Sequence, residues 1–91
     1  MTVVLTGHIQ VPSERIADIR AALPEHIRLT RAEPGCLSFS VTEHPDIVGR
    51  FDVAEEFTDA EAFEAHQTRA GDSDWAKISE GIPRDYKVSG L

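Results

Sequence analysis

Cysteine occurs once in this chain and asparagine never, and no apolar stretch approaches the roughly 20 residues that a membrane-crossing helix requires. A single thiol can neither close an intrachain disulfide nor build a multi-thiolate metal site. Cys36 therefore reads as a small apolar residue packed in a strand, in keeping with a reducing compartment. A basic segment followed by a long apolar one, the pattern of a secretory leader, is also missing, so the expected location is the cytoplasm, with no membrane partner. Basic residues are scarce: nine Lys and Arg against sixteen Asp and Glu leave a formal charge of −7. Those nine are scattered, so no nucleic-acid partner is expected. Glycine-rich phosphate loops, nucleophile elbows and Cys-His pairs are absent. His8, His26 and His44 fall on a strand's polar face, a helix and a turn, without metal-ligand spacing, so no metal site is expected.

What remains is a small globular chain with clear periodicity. Ninety-one residues fit one domain, residues 1–91, burying only about 60–65% of the unfolded surface. Val3, Leu5, Gly7, Ile9 and Val11 alternate with Val4, Thr6, His8 and Gln10, which predicts a strand with one apolar and one mostly polar face. Pro12 and Ser13 open a helix whose Ile16, Ile19, Leu23 and Ile27 form one stripe, with an interruption expected at Pro24. Glu33-Pro34-Gly35 stops that helix and launches a strand with Leu37, Phe39 and Val41 on one side and Cys36, Ser38, Ser40 and Thr42 on the other. After a turn at His44 to Gly49, Phe51, Val53 and Phe57 share a face with Glu55. Thr58 to Glu61 fits a capping box for a helix ending near Gly71. A shorter helix carries Trp75 and Ile78, and Arg84 to Ser89 is the last strand. This order predicts an α+β, ferredoxin-like split βαβ fold: an antiparallel four-stranded sheet with helices on one face. The other face, with Thr6, His8, Gln10, Ser38, Ser40, Asp52 and Glu56, reads as solvated.

Four residues invite a chemical reading, and each has a structural alternative. His66, three residues after Phe63, lies on the stripe facing the sheet. It is either a general base in a pocket or a packed histidine satisfied by a backbone carbonyl or Glu55. Trp75 either walls a cavity for a flat ligand or plugs the edge of the core. Gly7 weakens its strand unless a bulge or a close-approaching ligand needs the space. Glu55, on an apolar face, must be paired, protonated or near the sheet margin.

The chain resembles the antibiotic biosynthesis monooxygenase domain family of the dimeric α+β barrel superfamily. The resemblance rests on Glu33-Pro34-Gly35-Cys36-Leu37-x-Phe39, on Glu55-x-Phe57, on the helix start from Asp59 with Phe63-x-x-His66, and on Ser73-Asp74-Trp75. It extends from about Val3 to Val88. It implies a homodimer whose sheets face each other across the polar surface, forming a dimeric α+β barrel, with a pocket in each subunit between helices and sheet. It also implies oxygenation of a small phenolic or quinol-type aromatic substrate by O2 without a cofactor. His66 would then be the catalytic base or proton relay, Phe39, Phe51 and Trp75 the apolar walls of the substrate site, Glu55 a further substrate-binding group, and Gly7 an open floor. Haem-degrading relatives use an asparagine on the first strand and a histidine on a later helix. This sequence has no asparagine and no histidine after Trp75, so haem degradation is not expected. A non-catalytic ligand-binding or assembly module, or an isomerase of a small metabolite, are the alternatives.

Overall fold

The computed structural model describes residues 2–91. Strands β1 (Val3–Gln10), β2 (Cys36–Glu43), β3 (Arg50–Phe57) and β4 (Arg84–Ser89) form one antiparallel sheet in the order β2-β3-β1-β4. Helix α1 (Ile16–Arg31) connects β1 to β2, while α2 (Ala60–Gly71) and α3 (Asp74–Ile78) connect β3 to β4. That is the ferredoxin-like α+β arrangement expected from the element order.

Alternation along the strands decides what is covered. Val3, Leu5 and Ile9 of β1 and Phe51, Val53 and Phe57 of β3 are buried under the helices, whereas Thr6, Gln10, Ser38 and Ser40 on the opposite face are exposed. The interior divides into two apolar clusters. One gathers Ile9, Val11, Ile16, Ile19, Leu23, Phe51 and Ile82; the other gathers Val3, Leu5, Val53, Phe57 and Phe63.

Three local expectations are corrected. Pro24 does not interrupt α1, which runs unbroken for 16 residues behind a short 3-10 turn at Ser13–Arg15. The proline deprives the Arg20 carbonyl of its donor, but both residues lie on the exposed side, where water can replace that bond. The N-cap of α2 is Asp59, whose Oδ1 accepts from the Ala62 N–H at 2.8 Å, one residue later than the capping box suggests. Leu37 does not share the face of Phe39: Cys36 pairs with Phe57 and Ser38 with Glu56, so Leu37 is the extra residue of a β-bulge. It is 54% exposed, while Cys36 packs partly buried against the Phe57 cluster on the helix side.

The turn before β2 is tight for a reason that only glycine meets. Gly35 has φ +86°, and a Cβ there would sit 2.6 Å from the Ala62 Cβ on α2. Helix α3 is tied down from α1's side by Arg15, which donates to the carbonyls of Glu80 at 2.9 Å and Ile78. Ser73 caps its start, so Trp75 is held over the sheet from both ends. Among the described residues no helix is long and apolar enough to cross a membrane.

Candidate functional site

Between the two apolar clusters the helices leave a cavity of about 160 Å³. Its wall includes Phe39 from β2, Glu55 from β3, His66 from α2 and Trp75 from α3, together with His26 from α1 and Tyr86 from β4. Gly7 and Phe51 are not in that wall. The space beside Gly7 belongs to β4: a Cβ there would fall 1.9 Å from the Asp85 carbonyl oxygen, and with φ +155° the position admits glycine for close strand approach. Phe51 is 1% exposed and fills the neighbouring apolar cluster with Ile19 and Leu23.

His66 is buried on the sheet-facing side of α2 beside Phe63, as its spacing predicts. Its principal partner is Glu33, whose carboxyl oxygens lie 3.1 and 3.2 Å from Nδ1. An ionised carboxylate only accepts, so Nδ1 carries the proton and donates, leaving Nε2 free. Nε2 lies 3.8 Å from Glu55 Oε1, too far for a direct hydrogen bond. Glu33 is itself held by Arg69, whose Nε donates to it at 2.6 Å and whose Nη2 donates to Thr30 Oγ1 at 3.0 Å. The Thr30 hydroxyl donates in turn to the His26 carbonyl at 2.8 Å. A chain of charge-assisted bonds therefore runs from α1 to the imidazole and fixes its plane.

The remaining polar groups of the cavity are differently treated. Glu55 is 7% exposed and its Oε1 has no hydrogen-bond partner. Burial, reinforced by nearby Glu33, pushes its carboxyl up to about 7. His26 stacks on Trp75 with ring centroids 4.6 Å apart and meets Phe39 edge-on at 5.4 Å. Burial, then the charges of Arg69, His66 and Arg84, push its imidazole down to about 4, and its Nδ1 is buried without a partner. Burial also holds the Tyr86 phenol above its usual range, with Arg84 opposing and Glu55 adding. Among the described residues, no three His, Cys, Asp or Glu side chains converge as a metal site.

The structure thus brings together Phe39, Glu55, His66 and Trp75. Glu33, His26, Arg69 and Tyr86 were not foreseen there. Glu33 sits in the turn block read as architecture, and its reach to His66 spans 33 residues. His26 carried a local signal: it lies three residues after Leu23, on the stripe assigned to the isoleucines.

Comparison with known proteins adds the following. The family model described as antibiotic biosynthesis monooxygenase matches residues 2–77. A Nitrosomonas europaea structure named for that family is 19% identical over 99% of this chain and 89% of its own, with a TM-score of 0.86. A Deinococcus radiodurans structure, also named for it, is 25% identical over 96% of this chain and 87% of its own, at 0.78. A point mutant of SnoaB, a cofactor-independent oxygenase from Streptomyces nogalater, is 13% identical over 99% and 92%, at 0.79. No functionally curated protein matches significantly.

Proposed function

Because this chain belongs to the antibiotic biosynthesis monooxygenase family, we propose that it oxygenates a small, single-ring phenolic or quinol-type substrate with O2 and without a cofactor. The observation that carries this reading is the cavity: about 160 Å³, bounded by Phe39, Trp75 and Tyr86, with His66 and Glu55 in the same wall. A cavity of about 150 Å³ accepts benzene in another protein, so this one suits a single ring. Flat rings and ionisable side chains in one small space match a substrate with an apolar body and an acidic hydroxyl.

The chemistry asks three things of the protein: to bind the phenol, to exclude water, and to remove the hydroxyl proton. The electron-rich phenolate then passes an electron to oxygen itself. His66 serves as proton relay, because its Nδ1–H is committed to Glu33 and only Nε2 is free to exchange a proton. Cofactor independence is supported by the description of SnoaB, whose fold this chain shares. Oxygen uptake with substituted hydroquinones, measured on metal-free protein, should occur and fall by about 10²- to 10⁴-fold in His66→Ala. Uptake that is unchanged by the substitution would remove His66 from the reaction.

The same reading includes a homodimer. Its support is the uncovered sheet face carrying Thr6, Gln10, Ser38 and Ser40, together with a β4 exposed along its whole length. Sedimentation at micromolar concentration should show two chains per particle, and a monomer would contradict it.

A further inference from the structure

His66 is committed on one side to Glu33, and the carboxyl on its other side has no comparable anchor. We propose that Glu55 is the catalytic proton acceptor of this cavity, taking the proton of the substrate hydroxyl and sharing it with His66. The proposal deepens the reading above and rests on it for the substrate class, a single-ring phenol.

The geometry supports a shared seat for one hydroxyl. Glu55 Oε1 is buried with no partner, in a structure where Glu33, the other carboxyl beside His66, meets both the imidazole and Arg69. Buried carboxyl oxygens are normally satisfied, and one left without a partner on a side chain that lines a cavity is an acceptor lacking its donor. Nε2 of His66 is the second open atom, and the 3.8 Å between them is a gap that a single oxygen can bridge. A phenol entering past Trp75 and Tyr86 with its hydroxyl foremost would meet Nε2, and a turn of the buried Glu55 carboxyl would bring Oε1 to the same hydroxyl.

The step balances simply. The phenol O–H bond breaks, its electron pair stays on the ring oxygen, and the proton forms an O–H bond on Glu55. A turn of the Glu55 carboxyl that closes the 3.8 Å gap lets the proton pass on to Nε2, giving an imidazolium whose Nδ1–H remains bonded to Glu33. Burial tunes Glu55 to about 7, near the working range of a general base. The ionisable groups around it are His66 on α2, His26 on α1, Glu33 in the turn, Cys36 on β2, and Arg84 and Tyr86 on β4. Glu33 is then a positioning residue, since it acts by holding the His66 ring and its proton.

The test uses 4-nitrophenol, a single-ring phenol whose colour reports its ionisation, bound anaerobically to the full chain and titrated with alkali. In the wild type the dye and Glu55 hold one proton between them, so colour should appear in two steps displaced from its position in free solution. One lies below it, as Glu55 takes up the dye's proton, and one about one pH unit or more above it, as the pair loses its last proton. In Glu55→Gln that displacement should vanish, and in Glu55→Asp, which keeps a carboxyl, it should persist in part. Thermal melts of both variants establish that they are folded, and a carbon-13 carboxyl titration of the wild type gives an independent reading of Glu55 on dye binding. Superimposable colour curves for wild type and Glu55→Gln, a Glu55 carboxyl signal insensitive to the dye, or failure of the wild type to bind it would each overturn the assignment. Because oxygen takes no part, the assay separates the two ideas: a displaced titration without oxygen uptake on hydroquinones sustains Glu55 as acceptor and sinks the monooxygenase.

Discussion

Two stretches of the same interior, one on each side of Leu23 in α1, are built to different ends. Toward the start of the helix, Ile16 and Ile19 close on Ile9, Val11, Phe51 and Ile82, with no polar side chain among them. Toward its end, the same stripe continues as His26 and Thr30, and the sheet beneath offers Glu55 and Phe39 around a cavity. Both stretches are buried, and helix and strand periodicity serve both equally. The difference lies in completion. The first is assembled from carbon side chains, with only Ile9 touching the cavity, whereas the second leaves volume open and leaves His26 Nδ1 and Glu55 Oε1 without partners. A chain this small has little core to spare, so open volume and unpaired buried groups mark the place where stability has been given up, and it is there that the proposed chemistry is set.

The contrast can be broken most forcefully at Phe51. Truncation to alanine empties the completed end and should lower stability by about 4 kcal/mol, read from urea unfolding. A loss under about 1 kcal/mol would mean that this end is no better packed than the cavity.

The next effect has the opposite sign and depends on pH. Glu55 titrates near 7 in the folded chain against 4.5 ordinarily, so its contribution is fully present below 4.5 and is lost as pH rises through 7. His26 titrates near 4 against 6.5, so its contribution is present above 6.5 and is lost as pH falls through 4. Between those limits the folded chain holds a proton on Glu55 that the unfolded chain lacks, and lacks one on His26 that the unfolded chain holds. The two slopes therefore oppose. Glu55→Gln removes one of them: stability should then climb with pH from about 4 to 6.5, and above pH 7 exceed wild type by about 2 kcal/mol after allowing for the buried amide. Melting curves across that range suffice, and parallel profiles for wild type and variant would show that Glu55 is not held neutral by burial.

The smallest effect sharpens the boundary. Leu37 belongs to neither stretch, and Leu37→Ser should change the melting free energy by less than about 0.5 kcal/mol despite removing a large apolar side chain. A cost of several kcal/mol would place it in a packed interface.

Much of this is legible in the sequence. Period-two alternation in β1 and β3 identifies the buried face residue by residue, because strand geometry leaves no other choice, and Phe63 with His66 follows from helical spacing in the same way. Long-range pairing was not legible. Nothing local to Gly7 says that β4 will press against it, and nothing local to Glu33 says that a histidine 33 positions later will turn toward it. His26 is legible from its spacing, although the stripe of isoleucines points instead to Ile27, which is only half-buried. Register inside β2 was hidden for a further reason: a bulge changes which residues share a face without changing composition.

That bulge gives the strand an unusual relation to its own numbering. Because Cys36 and Ser38 already pair with consecutive residues of β3, Leu37 is a spare beat in the count. Its excision would leave Phe39 opposite Glu55 and the wall of the cavity unturned. Excision of Ser38 would do the same, since Leu37 would take its pairing, whereas excision beyond Phe39 would turn the strand's inner residues outward, so the tolerance of β2 to shortening is confined to the bulge.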